Sequence, residues 1–423
     1  MSATQHTAPS GHEGADASQV YGRCFDAVVI GGGVIGLASA WQASKRGLAV
    51  AVVDPDPGHG ASWAAAGMLA PVTEAHYGEE ALLHLSLASA RLWGAFAEEL
   101  EADTGSDIGY RRCGTMLVAF DDDDRMAARQ LYEFQLKLGL QVRWVSGREA
   151  REMEPNLAPG IRGALWAPND HQVRTRHLVR ALLDACQESE VAFVPERAVA
   201  LEAPGGRLSA VRLASGIRLT CGAAVLAAGS WSRSVDGLPE LAQVPLRPVK
   251  GVILRLAPAP LTASATPETE PPPLLTRTVR GMVQGSHVYL VPRADGSIVL
   301  GATSEERGFD TTVSVGALHD LIRLARRLVP GVTEMVLADA TAGLRPATAD
   351  NGPVIAAMGG DSGAEGLVLA FGHYRNGILL TPITASAVSA WLCGDPAPDE
   401  VSAFGPSRFC APGSPGLPAD GVR

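Results

Sequence analysis

Cysteine is scarce in this chain and follows no pattern. Its six residues (Cys24, Cys113, Cys186, Cys221, Cys393, Cys410) form no Cys-x-x-Cys and no paired-histidine spacing. That argues against a disulfide framework and a zinc site; the expectation is reduced thiols, a cytoplasmic setting and no metal centre. Basic residues are outnumbered, 35 Lys and Arg against 45 Asp and Glu, for a net charge of −10. Such a chain lacks the field that draws nucleic acid or an anionic membrane. No apolar run reaches the ~18 residues of a membrane span. The nearest, 367–393, is broken by His373, Tyr374, Arg375 and Asn376, so no transmembrane segment is expected. Residues 1–20 have neither the basic start nor the apolar stretch of a signal peptide. Residues 1–21 read as a disordered tail and 406–423 as a flexible one. No internal repeat is found.

What is present is a chain of 423 residues, 46% hydrophobic, enough for roughly two or three domains with a sizeable core. Its organising stretch is 26–54. The apolar run 27–30 reads as a buried strand and ends in Gly31-x-Gly33-x-x-Gly36. A helical run follows to Arg46, stops at Gly47, and a second strand over 48–53 closes at Asp54. This is the arrangement that binds a dinucleotide. Gly31 permits the turn, Gly33 admits a pyrophosphate, and Gly36 lets helix and strand pack closely. Asp54 stands about twenty residues on, where a carboxylate takes ribose hydroxyls. The motif by itself does not choose between NAD and FAD.

Further on, 61–71 is rich in small residues, which suits either close approach to a ligand or an Ala-rich helix start. Helices are expected over 79–101, 121–139, from Arg176, and over 315–328. The segment 110–120 reads as a strand pair or hairpin. Strands are expected over 191–194, 198–202, 209–213 and 218–221, and the buried run 223–228 ends in a small-residue turn. From 248 to 300 the texture is strand-rich, with strands expected over 249–256, 281–292 and 297–301, interrupted by a Pro-rich stretch, 258–273, expected as an exposed mobile loop.

Two later segments carry chemistry. Arg345 stands in an apolar stretch bounded by Gly343 and Pro346. Its planar fork suits a carboxylate, either of a ligand or of a structural salt bridge. The segment 370–380 reads strand, glycine turn, helix, with the helix (378–392) turning its positive end toward the turn. His373 serves there as well as a turn residue as in any chemical role.

Together these strings resemble the FAD-dependent D-amino-acid oxidase superfamily, and within it the glycine oxidases of thiamine biosynthesis. The pieces are Gly31–Gly36, Ala65–Pro71, Tyr289–Arg293, Gly301–Thr303, Gly343–Pro346 and Gly372–Leu380, in the family's order and spanning about 22–405. The resemblance implies that Val34, Ile35, Asp54 and Pro55 meet the adenosine end of FAD. Ala61, Ser62, Ala66, Gly67 and Met68 would line the path to the flavin, and Val199 would meet the adenine. His373, Tyr374, Arg375, Asn376, Gly377, Ile378 and Leu379 would wrap the ring. Arg345 would clamp the substrate carboxylate, with Tyr289 adding a hydroxyl donor. Gly343 stands where relatives with covalent flavin carry Cys, so non-covalent FAD is expected. Asp54 replaces the usual Glu, Ser304 stands where a related oxidase has Met, and Arg174 and Thr175 interrupt a pattern common in relatives.

The fold expected is α/β: a discontinuous Rossmann-like FAD-binding domain (22–105, 145–245, 335–405) with an inserted, mainly antiparallel-sheet substrate domain (106–144, 246–334). The function implied is oxidation of glycine, sarcosine or a small D-amino acid with oxygen, giving imine, ammonia and hydrogen peroxide. The imine would serve thiazole synthesis, and the assembly could be a homotetramer. The alternatives are a D-amino-acid dehydrogenase with another electron acceptor, and a flavin-binding protein without turnover.

Overall fold

The computed structural model describes residues 22–259, 272–360 and 363–410. The expected tails, 1–21 and most of 406–423, and nearly all of the 258–273 loop lie outside them. Two eight-stranded sheets organise the chain. In the first, the order is Val354–Ala357, Leu367–Phe371, Arg218–Leu226, Phe25–Ile30, Val50–Val53, Ala192–Val194, with Ala210–Leu213 pairing Arg218–Leu226 beside this path and Ala198–Glu202 pairing Ala210–Leu213. The inner strands pair in parallel. Phe25–Ile30, Val50–Val53 and Leu367–Phe371 are short, apolar and buried along almost their whole length, as strands covered on both faces must be. Helices Val34–Lys45 and Thr381–Leu392 pack side by side against it. Both are buried nearly all round, which is why neither shows a polar stripe.

The second sheet runs Val336–Ala347, Arg247–Ala257, Ile298–Gly301, Ser286–Pro292, Thr278–Val283, Thr115–Ala119, Gly163–Ala167, Arg143–Ser146. All its neighbours are antiparallel except Thr278–Val283 with Thr115–Ala119. The helix Val315–Leu328 covers one face with Leu321, Leu324 and Leu328. The fold is therefore mixed α/β, with a nucleotide-type parallel sheet and a mainly antiparallel partner, as expected.

Several elements differ from the sequence expectation. The segment 110–120 holds one strand, Thr115–Ala119, not a hairpin; its partners, Gly163–Ala167 and Thr278–Val283, both lie far along the chain. The run 218–228 is a single strand to Leu226. Thr278–Val283 and Ser286–Pro292 form a hairpin turned at Gln284 and Gly285, both at positive φ. Arg143–Ser146, Gly163–Ala167 and Val336–Ala347 stand in the second sheet, although the expected partition places nearly all of them with the first. A short apolar strand carries no local mark of which sheet will accept it. The last helix begins at Thr381 rather than at 378, because Asn376–Leu380 closes a separate turn, Leu380 N–H donating to the Asn376 carbonyl at 2.8 Å.

Candidate active site

The strand Phe25–Ile30 ends against Arg218–Leu226, and the glycine turn follows directly. Gly31 has φ 111°, and a Cβ there would overlap the Ala227 carbonyl, so only glycine fits. A Cβ on Gly36 would overlap the Gly31 carbonyl, which is the close helix–strand packing expected of it. The turn is fastened by side chains. Asp54 accepts from the Gly32 N–H at 2.7 Å and from the Asp56 N–H at 2.8 Å. Ser62 Oγ accepts from the Val34 N–H at 3.1 Å, at the start of the helix Val34–Lys45. The Asp54 carboxylate thus braces the turn as well as facing the cavity.

That turn opens into a cavity of about 450 Å³ that runs between the two sheets. Of the residues singled out in the sequence, Gly31, Gly33, Val34, Ile35, Asp54, Pro55, Ala61, Ser62, Ala66, Gly67, Met68, Tyr289, Arg345, His373, Tyr374, Arg375, Gly377 and Ile378 line it. Gly36, Val199, Asn376 and Leu379 do not. Gly36 lies beneath the turn. Val199 is set back by one residue, and Arg197 and Ala198 line the wall instead; its carbonyl accepts from the Asp236 N–H. Leu379 turns into the core, where its carbonyl accepts from Ser89 Oγ (2.7 Å) and Trp93 Nε1 (2.9 Å). Asn376 closes the turn after His373. Ser304 is exposed and lines neither this cavity nor its annex.

The loop 65–68 is held from below by Arg293, which is 5% exposed. Its guanidinium donates to the carbonyls of Ala66 (2.5 Å) and Val173 (3.0 Å) and to Gln172 Oε1 (2.6 Å). Thr175, which interrupts the relatives' pattern, donates its hydroxyl to the Ala65 carbonyl at 2.8 Å. Arg174 pairs with Asp295 at 2.9 Å.

Tyr289 and Arg345 stand on one face of the second sheet. Arg345 is opposite Val249; Val249, Gly251 and Ile253 share a face; Ile253 is opposite Gly301, and Gly301 opposite Tyr289. Each anchor rests on a glycine. A Cβ at Gly251 would overlap the Arg345 guanidinium, and one at Gly301 would meet the Tyr289 hydroxyl. Arg345 Nη1 donates to the Thr303 carbonyl at 3.1 Å and, more weakly, to that of Lys250 at 3.5 Å. No carboxylate of the described residues forms an ion pair with it. A half-buried guanidinium without an anion is set up to receive one. Burial holds the Tyr289 phenol above its ordinary value, against the opposing pull of Arg345, so it stays a donor.

His373 is 3% exposed, and burial pushes its imidazole down to about 3. Its Nε2 lies 3.0 Å from Thr384 Oγ1. It is a neutral, hydrogen-bonded wall residue. An annex of about 30 Å³ adjoins Arg345 and Tyr289 and brings in two residues the sequence reading missed, Glu74 and Arg280. Their side chains pair at 2.6 Å, and Arg280 also donates to Thr73 Oγ1 at 3.2 Å. Burial raises the Glu74 carboxyl, but Arg280 and Arg375 outweigh it and hold it ionised. Neither residue sits in a motif. Only the pairing of the 70–75 segment with the hairpin brings them together.

The residues fit an FAD. A glycine turn and helix start, with an acid beside them, occupy one end of the cavity, and small residues line its middle. At the other end the 372–378 segment faces Tyr289 and Arg345. No cysteine lines it, and a Cβ on Gly343 would overlap the Ala64 methyl, so no thiol stands at the position of a covalent link.

Comparison with known proteins agrees. The family model "FAD dependent oxidoreductase" (DAO) matches residues 26–391. The bifunctional protein ThiO/ThiG of Synechocystis sp. is 34% identical over 393 residues, covering 92% of this chain and 55% of that protein. The chain thus spans about half the length of such two-part relatives. Glycine oxidase of Geobacillus kaustophilus is 34% identical over 367 residues, covering 86% of this chain and 92% of the relative. A crystal structure of glycine oxidase from the same organism superposes with a TM-score of 0.81 at 31% identity, over 91% of this chain and 99% of that one. The chain belongs to the DAO family of FAD dependent oxidoreductases.

Proposed function

We propose that this chain is a glycine oxidase: it oxidises glycine, or a similarly small amine such as sarcosine or D-alanine, to the imine, which water hydrolyses to the 2-oxo acid and ammonia, or methylamine in the case of sarcosine. The observation that carries the reading is Arg345, free of any carboxylate partner among the described residues, set on the same sheet face as Tyr289 and lining the cavity with it. An amino-acid carboxylate would take the open N–H groups of the guanidinium and the phenolic hydrogen. Two such contacts fix the acid end and so aim the Cα–H bond. FAD, when bound, would supply the redox chemistry, as acceptor of the α-hydrogen and as donor of the electrons to oxygen. The segments 31–36, 54–55, 61–68 and 372–378 would hold it.

No side chain need act as a base. Glu74 is tied to Arg280, and His373 is neutral and held at Thr384. The substrate amine enters already deprotonated, and the site's task is orientation and exclusion of water. The first sheet would serve the cofactor and the second the substrate. The resemblance to the glycine oxidases of thiamine biosynthesis makes supply of the imine to thiazole synthesis the expected use. All six cysteines are unpaired, which supports a reducing, cytoplasmic compartment. No helix of the described residues is long and apolar enough to cross a membrane. A homo-oligomer is the expected assembly, to be read by light scattering.

The test is the visible spectrum of the purified protein mixed anaerobically with glycine. Bleaching of a bound flavin band, then recovery with peroxide on admitting air, is the expected result. Bleaching without recovery in air would move the assignment to a dehydrogenase. A flavin that no small amino acid reduces would overturn the enzymatic reading.

A further inference from the structure

Lys250 is almost fully buried beside the site, at 1% exposure. It lies on Arg247–Ala257, next to the glycine on which Arg345 rests. Its ammonium meets Asp310 Oδ2 at 3.0 Å and Glu305 Oε2 at 3.7 Å. Both acids belong to the segment 302–312, which crosses this strand only briefly. Lys250 and Glu305 exchange backbone hydrogen bonds, each 2.9 Å, and Val252 N–H donates to Thr303 Oγ1 at 2.9 Å. Beyond that contact residues 306–309 are exposed and outside any ladder. The segment's far end is tied back by the ammonium at Asp310, whose other oxygen is taken by the Thr312 N–H and hydroxyl. A second, surface tie joins Arg247 to Glu306 at 3.2 Å.

This segment touches the substrate anchor at one point. The Thr303 carbonyl is the nearer acceptor of Arg345 Nη1, and the Lys250 carbonyl is the other. One of the two carbonyls that orient the guanidinium is thus on the tethered segment, and the other is that of Lys250 itself. A buried ammonium without its anion is costly, so the segment cannot lift off without leaving Lys250 unpaired. We propose that Lys250 is a positioning residue: through Asp310 and Glu305 it pins the 303–310 segment, whose Thr303 carbonyl fixes the Arg345 guanidinium for the substrate carboxylate. The proposal rests on reading Arg345 as that anchor.

Loosening the tether would let the guanidinium swing, which weakens carboxylate binding more than it slows a correctly bound substrate. The test compares FAD-loaded wild type, Lys250→Met, Lys250→Arg and Asp310→Asn. Two quantities are read: KM and kcat with glycine, and the Kd of glycolate from its perturbation of the flavin band. In Lys250→Met, KM and the glycolate Kd should rise about tenfold while kcat stays within about threefold, and Lys250→Arg should recover most of both. Wild-type KM and Kd in a flavin-loaded Lys250→Met would overturn the proposal, as would a loss confined to kcat. If Lys250→Met retains no flavin, Asp310→Asn, changed at the solvent end of the pair, decides on the same two readouts. If glycine fails to reduce even the wild type, the oxidase reading fails and the glycolate Kd alone decides the role of Lys250. A wild type that binds no glycolate removes Arg345 as the anchor, and this proposal with it.

Discussion

As the proposed anchors of one substrate carboxylate, Arg345 and Tyr289 would contribute unequally. Replacing Arg345 by Ala removes a charge-assisted fork and should cost about 2–4 kcal/mol of substrate binding. It should appear as a raised KM for glycine with the flavin spectrum intact; an unchanged KM would remove the clamp assignment. Tyr289→Phe loses one neutral donor and should cost about 1 kcal/mol in the same assay. His373 makes a prediction about acid. Its folded imidazole is depressed to about 3 from an ordinary 6.5. Below 6.5 the unfolded chain takes up a proton that the folded one refuses, so stability present above 6.5 is lost as pH falls toward 3. Melting temperatures of FAD-loaded protein should fall between about pH 7 and pH 4.5, and His373→Gln should flatten that slope. At this scale the sequence was informative wherever a residue's chemistry stood out from its surroundings. Arg345 in an apolar stretch is such a case. Glu74 and Arg280 are not, since each is an unremarked charge until the fold pairs them.

Elements place those residues, and glycines decide how closely. Gly31→Ala should lose most of its bound FAD, because the added methyl meets the Ala227 carbonyl and φ 111° is foreign to alanine, a strain of about 1–3 kcal/mol. The ratio of visible to ultraviolet absorbance after gel filtration measures it. Gly251→Ala should leave the flavin bound but raise the KM for glycine, since its methyl would displace the Arg345 guanidinium. Strand–turn–helix–strand over 25–53 was legible because every part of it is local: an apolar run, a glycine spacing, a helix stop. Over 281–292 strand was legible but not its division into a hairpin, and the strand Gly163–Ala167 was not legible at all. Their burial depends on partners far off in the chain, and a short apolar run looks the same in either sheet. The start of the last helix shifted by one turn because Asn376–Leu380 satisfies its own backbone groups first.

The whole molecule joins two sheets across one cavity, so the cofactor should act as a structural bridge between them. FAD at about 100 times its Kd should stabilise the folded chain by about 2.7 kcal/mol. A concentration-dependent rise in melting temperature on adding FAD to apoprotein checks this, and no rise would mean the cavity is not its site. The sequence by itself determined the parallel nucleotide sheet's first strands, the glycine turn with Asp54, and the family's short strings, because each depends on neighbours within a few dozen residues. Tertiary structure alone decided the rest. Val249, Gly251, Ile253, Gly301 and Tyr289 reach Arg345 through strand register, and register is set by pairing between segments up to about a hundred residues apart. Lys250, Asp310 and Glu305 likewise become one ion-paired group only when the 302–312 segment crosses its strand. Side chains that meet across such distances leave no periodic trace in the chain, because what brings them together is the burial of other residues.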